Sequence, residues 1–383
     1  MRDALSKTVL PGSTIGMVGG GQLGRMFAMA AAAMGYRVVV LCEDNTSPAA
    51  QVAHMTVEGE LDDMQAVERF ASQCDVITLE FENIPAETIA RCGHFAPTYP
   101  SSDVLATAQN RLIEKTTLKE AGLPVTPMAA VNDTQSLCDA GKTLGWPMIV
   151  KTAISGYDGK GQSKVHSPEE AESIDWSACE AWIAEQCIEF DLEVSVIVAR
   201  SPNGQQEAFP VFENAHHHHI LDVTLAPARI AEELAQEAIQ IAKAATETLD
   251  VVGLLCVEFF VSGETVMINE VAPRPHNSGH LSIEACETSQ FEQHVRAVCN
   301  LPLGSTSLRS PCAAMANLLG DLWSTDGSEP DWEKALRDPS ISLHLYGKET
   351  PKLGRKMGHL TMTGNSAESV IQRVTEARRH LPA

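Results

Sequence analysis

Near the start of this chain an apolar strand, a glycine-rich turn and an alanine-rich helix follow one another without a break, and few folds accommodate that order. Thr14–Val18 is the strand, Gly19-Gly20-Gly21-Gln22-Leu23-Gly24 the turn and Arg25–Met34 the helix. A β-branched strand, Tyr36–Leu41, comes next, and Asp75–Leu79 reads as another. Strands alternating with helices build a parallel sheet, so residues 13–107 are expected to form a Rossmann-like α/β domain. The turn fits G-x-G-x-x-G, and Glu43 and Asp44 follow about twenty residues on, close to the dinucleotide fingerprint. Three readings stay open here: a nicotinamide site, some other phosphate bound by backbone N–H groups, or a tight turn with no ligand.

The whole chain has 383 residues, enough for two or three domains with their own cores. Its net charge of −22, with no long basic run, argues against a nucleic-acid partner. A local cationic pocket remains compatible with that balance. The ten cysteines include no Cys-x-x-Cys pair, and a disulfide framework is not expected in a chain this long, so the reading is a reducing cytoplasm. Met1–Gly12 lacks an apolar signal core, and the longest apolar block, Phe27–Met34, is too short to span a membrane.

Beyond residue 107 the pattern changes. One helix is expected from about Asp103 to Ala121, stopped by Gly122-Leu123-Pro124. Pro147–Thr152 is an apolar strand carrying Lys151, followed by the glycine-rich loop 155–162. Trp182–Glu185 and Leu192–Ala199 read as strands, Ile230–Leu249 as a long helix, and Leu254–Val261 with Thr265–Val271 as a hairpin around residues 262–264. After about residue 305 a smaller unit begins, with strands at Ala313–Leu319, Ser342–Tyr346 and Gly358–Thr363 and a final helix to Arg379.

The hairpin carries the chemistry. Glu258 and Glu270 interrupt otherwise apolar strands, and a three-residue loop puts them on one sheet face two positions apart. Two such carboxylates repel unless a cation lies between them, and hard oxygen donors suit magnesium. Just beyond come Arg274, His276, Asn277, Ser278 and His280, groups that suit anionic oxygens. Lys151, at a strand end beside a glycine loop, can reach nucleotide phosphates, although the loop lacks Walker spacing. Zinc is disfavoured, because Pro275 removes a helical histidine pair and no cysteine pair supports one.

These residues together resemble a known family. Lys151, loop 156–162, Glu185-Gln186-Cys187-Ile188, Glu193, Glu258 and Glu270 follow the order of the ATP-grasp ligases. The segments 21–26, 156–162, 269–280 and Gly354-Arg355-Lys356-Met357-Gly358-His359 resemble, within it, the N5-carboxyaminoimidazole ribonucleotide synthase family of purine biosynthesis. The likeness runs from about residue 13 to the end. It implies an α/β and α+β architecture: the Rossmann-like domain at 13–107, an ATP-grasp domain at 108–304 and a small C-terminal domain at 305–383. It also implies a cytoplasmic homodimer that uses ATP and Mg2+ to carboxylate 5-aminoimidazole ribonucleotide with bicarbonate.

Residue roles come with the resemblance. Arg111, Lys151 and the loop residues Gly156, Tyr157, Asp158, Gly159, Lys160, Gly161 and Gln162 are expected at the ATP phosphates. Glu185, Gln186, Cys187 and Ile188 are the expected adenine linker, with Glu193 at the ribose and His216 near the nucleotide. Glu258 and Glu270 are the expected magnesium ligands, with Asn269 beside them. Gln22, Leu23, Glu82, Tyr157, Asp158, Arg274, Lys348 and Arg355 are expected around the acceptor, and Arg274, His276, Asn277 and Lys348 in catalysis. Ser155 departs from a glycine, and His217-His218-His219 from an Arg-Asp-Gly-like run. A formate-using glycinamide ribonucleotide ligase is the nearest rival; a dehydrogenase or a non-catalytic nucleotide sensor are rivals of other classes.

Overall fold

A computed structural model describes residues 7–154, 161–324 and 328–381. Residues 14–99 contain a five-stranded parallel sheet made of β1 (Thr14–Val18), β2 (Arg37–Cys42), β3 (Met55–Glu58), β4 (Val76–Leu79) and β5 (Thr98–Tyr99), in the order β3-β2-β1-β4-β5. β1 and β4 are buried throughout and β2 in all but its first residue, as near-continuous Val/Ile/Leu runs require when helices cover both faces. β3 and β5 were not expected. They have four and two residues and are too short to show a period.

The single helix expected over 103–121 is two, Ser102–Ala108 and Arg111–Glu120. Asn110 makes the break: its side-chain oxygen accepts from Leu112 and Ile113 N–H at 3.1 and 3.2 Å, capping the second helix. That cap aims Arg111 and Lys115 at the strands that follow. Those strands are β6 (Met128–Val131), β7 (Met148–Thr152), β8 (Gln162–Val165) and β9 (Trp182–Gln186), an antiparallel sheet in the order β6-β9-β7-β8.

The largest sheet has nine strands: β10 (Leu192–Arg200), β11 (Gln206–Ala208), β12 (Phe212–His217), β13 (Ile220–Ala226), β14 (Gly253–Ser262), β15 (Thr265–Ala272), β16 (Cys312–Leu319), β17 (Ile341–Leu345) and β18 (Lys356–Gly364). Its main path runs β15-β14-β10-β12-β13-β16-β18-β17, so the C-terminal strands continue the sheet that carries the hairpin. The helix Glu232–Thr248 packs an Ala/Ile face on β10 and β14, closing a core that includes Val196, Leu255, Val257 and Phe259. A second core joins the first unit to the helix Gln290–Val298 through Phe27, Val295 and Tyr346. The three sheets thereby bound one cavity between them.

Candidate active site

That cavity measures about 890 Å³. Gln22, Leu23 and Glu82 line it from the first unit. Arg111, Lys151, Gln162 and Glu185–Ile188 line it from the small sheet and its neighbours, and Glu193, His216, Glu258, Asn269 and Glu270 from the large sheet. Arg274, His276 and Asn277 line it from the loop after β15. Gly161, at φ +72°, leads into β8. Gly156, Tyr157, Asp158, Gly159 and Lys160 lie outside the described residues. Lys348 and Arg355 are not in the lining; Lys348 donates to the Lys356 carbonyl at 2.7 Å and Arg355 to that of Thr350 at 2.7 Å. Lys356, which had no assigned role, lines the cavity instead.

The acidic pair owes its geometry to a bulge. The hairpin turn has two residues, with Ser262 opposite Thr265, and not the three expected. An unbroken ladder from that turn would put Glu258 opposite Asn269. A register shift after Phe259 makes Asn269 the extra residue and sets Glu258 directly opposite Glu270. Asn269 Oδ1 is buried with no hydrogen-bond partner among the described residues. Protein packed round the cavity wall and the Glu258 carboxylate beside it both raise the Glu270 pKa. Two facing carboxylates and an orphaned amide oxygen are a hard-oxygen donor set, so the residues present fit a magnesium ion.

Several expected ligand groups are already paired. His276 Nε2 contacts Glu258 Oε1 at 2.8 Å, and its Nδ1 lies 2.8 Å from Ser278 Oγ. Burial opposes ionisation of Glu258, but His276 outweighs it and holds the carboxyl at about 2. Glu82 and Arg274, expected to face the acceptor separately, form a forked ion pair through Nε and Nη2. Against the cost of burial, Arg274 pulls Glu82 down to about 2, and Glu82 raises Arg274. Neither charge is left alone in a dry site. Asn277 exchanges a reciprocal pair of hydrogen bonds with Asn317, at 3.0 and 2.6 Å, so its side chain helps fix the loop. Glu193 Oε2 and His216 Nδ1 lie 2.6 Å apart, each occupying the other.

At the linker, the Gln186 and Cys187 N–H groups donate to Pro127 and Pro147 carbonyls, at 2.9 and 3.4 Å. The Glu185 side chain turns inward between two lysines, Lys151 at 2.7 Å and Lys115. Lys115 and Glu114 are buried groups that sequence reasoning missed, because both sit in a helix that reads as solvated. Burial, with Glu270 nearby, pushes Glu114 up to about 8 against the pull of Lys115.

The glycine turn answers the nicotinamide reading. Glu80, at the end of β4, was also missed as a distinct group. Its carboxylate accepts from Gly21 N–H and, at 2.9 Å, from Gly24 N–H, at the N-terminus of the helix Gln22–Ala33. A Cβ at Gly21 would come within 2.6 Å of Glu80 Oε1, and one at Gly19 within 2.6 Å of Glu80 Cγ. The glycines make room for this carboxylate. The position a dinucleotide pyrophosphate needs is filled by the protein itself.

Three family models divide the chain in order. The ribonucleotide synthetase preATP-grasp domain matches residues 12–109, the ATP-grasp domain 116–291, and the phosphoribosylaminoimidazole carboxylase C-terminal domain 313–373. N5-carboxyaminoimidazole ribonucleotide synthase of Bacillus subtilis (strain 168) is 40% identical over 377 residues, covering 97% of each chain. The chain belongs to the N5-carboxyaminoimidazole ribonucleotide synthase family. Solved members of the synthase family share its whole fold. The Staphylococcus aureus synthetase complexed with ADP superposes with a TM-score of 0.89 at 38% identity, over 97% of this chain and 98% of that one. The Aspergillus clavatus synthase, in complex with ADP and 5-aminoimidazole ribonucleotide, gives 0.87 at 32%, over 96% and 99%. The ATP-grasp fold and the ligase class expected from the sequence are therefore those of the synthase family.

Proposed function

We infer that this chain is the ATP-dependent carboxylase of 5-aminoimidazole ribonucleotide, forming N5-carboxyaminoimidazole ribonucleotide, ADP and phosphate. The observation that carries this is one cavity holding both ends of the reaction: Lys151, Arg111 and the Glu258/Glu270 pair beside Arg274, His276 and Glu82. The relative crystallised with ADP and the imidazole nucleotide has the same fold.

In this reading a bicarbonate oxygen attacks the γ-phosphorus of ATP, ADP leaves, and carboxyphosphate forms. The exocyclic amine of the acceptor then attacks the carboxyl carbon, the C–O bond to phosphate breaks, and the proton lost by the nitrogen passes to the departing phosphate. Such chemistry needs orientation and charge neutralisation more than a protein nucleophile. Arg111, whose backbone N–H donates to the Ala153 carbonyl at 2.9 Å and whose Nη1 donates to that of Thr152 at 3.1 Å, stands beside β7 with Lys151. Both offset phosphate charge. Glu258, Glu270 and Asn269 would hold Mg2+, which supplies Lewis-acid neutralisation of the phosphate oxygens when bound. Arg274, with Nη donors beyond those Glu82 takes, orients bicarbonate. His276, held by Ser278, steadies Glu258. Asn277 acts through the loop it fixes. Lys348 and Arg355, expected at the acceptor phosphate, lie outside the cavity wall.

The homodimeric, cytoplasmic state belongs to the same proposal; no described helix is long and apolar enough to cross a membrane. ADP release measured with Mg-ATP, bicarbonate and each acceptor in turn tests the function. Stimulation by 5-aminoimidazole ribonucleotide is expected. Stimulation only by glycinamide ribonucleotide with formate would replace this reading with its nearest rival.

A further inference from the structure

Lys115 is 1% exposed, lies outside the cavity lining, and has no part in the reaction as described. A lysine seldom stays buried without a task, since desolvating its ammonium is costly and an apolar residue of similar length fills the space more cheaply. Its surroundings indicate the task. The Nζ group meets Glu185 Oε1 on one side and Thr126 Oγ1 on another. Thr126 is itself fixed by its N–H to the Ile268 carbonyl at 3.1 Å, next to the bulge that sets the acidic pair. The other Glu185 oxygen holds Lys151 at 2.7 Å; both residues line the cavity, and Lys151 is the more exposed of the two.

Charge counting then separates the two lysines. With one partner only, Glu185 would cancel Lys151 and leave a neutral pair facing the nucleotide. With Lys115 behind it, and the adjoining Glu114 carboxyl held towards its neutral form by burial, the group carries a net positive charge, and the exposed end of that charge is the Lys151 ammonium. We propose that Lys115 is a positioning residue for nucleotide binding: it neutralises Glu185 from the protein side and so keeps the Lys151 charge available to the phosphates. The proposal rests on the reading that the cavity binds Mg-ATP, and deepens it.

The test compares the full-length protein with Lys115→Met, Glu185→Gln and the double variant. Calorimetry measures affinity for Mg-ADP and, separately, for 5-aminoimidazole ribonucleotide. Lys115→Met is expected to weaken Mg-ADP by about tenfold or more and leave the acceptor unchanged. The double variant is expected to recover most of that loss, because a neutral amide holds Lys151 without cancelling it. A merely structural lysine predicts that both ligands weaken together, or that the double variant is no better than Lys115→Met; either result overturns the proposal. If Lys115→Met does not fold, the double variant decides, since removing both buried charges is tolerated better than removing one. Mg-ADP affinity near wild type supports the proposal, and a tenfold loss sinks it. Wild-type protein that binds Mg-ADP but shows no acceptor-stimulated turnover would refute the function reading and leave this one testable.

Discussion

Two carboxylate sites in this molecule have opposite fates. At the glycine turn, Glu80 sits on the helix N-terminus with its oxygens taken by Gly21 and Gly24 N–H groups. On the hairpin, Glu270 opens into the cavity facing Glu258, and among the described residues no hydrogen bond or ion pair engages its carboxylate. The first site has used up its capacity for charge, and the second has charge to spare. The louder sequence motif is therefore scaffold and the quieter one chemistry. An anion-binding motif shows what a backbone can hold; only the neighbouring side chains show whether something already holds it.

The comparison breaks most sharply at Glu270. Glu270→Gln is expected to cut turnover by about a thousandfold or more, on the scale of several kcal/mol of lost charge stabilisation. Its thermal midpoint without magnesium should hold or rise, because a repulsion with Glu258 is removed. A clear fall in midpoint would move Glu270 to the structural side. Glu80→Ala should do the reverse. Orphaning the buried Gly24 N–H costs about 1–3 kcal/mol and the part-buried Gly21 N–H less, read as a lower denaturant midpoint, and no NAD binding is gained. Unchanged stability would show that the turn was never filled from within.

A smaller effect sharpens the acceptor side. Burial, reinforced by Arg355, lowers Lys348 to about 8. If its charge holds the acceptor phosphate, kcat/KM for the acceptor falls as pH rises through about 8, while the value for ATP does not. The sign for stability is opposite. Between about 8 and its ordinary 10.5 the unfolded chain keeps a proton that the native state has released, so stability rises with pH there. An acceptor profile flat to pH 10 would remove Lys348 from the site.

Much of this was legible in the sequence, and the gaps have physical causes. The apolar runs around Glu258 and Glu270 marked both strands and both acids, because an acid inside a buried strand has no ordinary place. The bulge at Asn269 was not legible: it depends on a one-residue shift that no alternation pattern records. Lys115 and Glu114 were hidden for the converse reason. Charged residues at helical spacing read as a solvated face, and only the packing of β9 against that helix shows them buried. The helix break did carry a signal, since Asn110 ahead of a new turn is a good N-cap. The pairings of Glu82 with Arg274 and of Asn277 with Asn317 join residues 192 and 40 positions apart, which spacing alone cannot connect.

The central claim is that the hairpin, and not the glycine turn, receives the metal–nucleotide. Crystals grown with Mn2+ and a non-hydrolysable ATP analogue test it through the anomalous signal of manganese. The account predicts a peak held between Glu258 and Glu270, with Glu80 still on the Gly21 and Gly24 N–H groups. Nucleotide phosphates seated on those N–H groups, with Glu80 displaced and no metal at the hairpin, would contradict it.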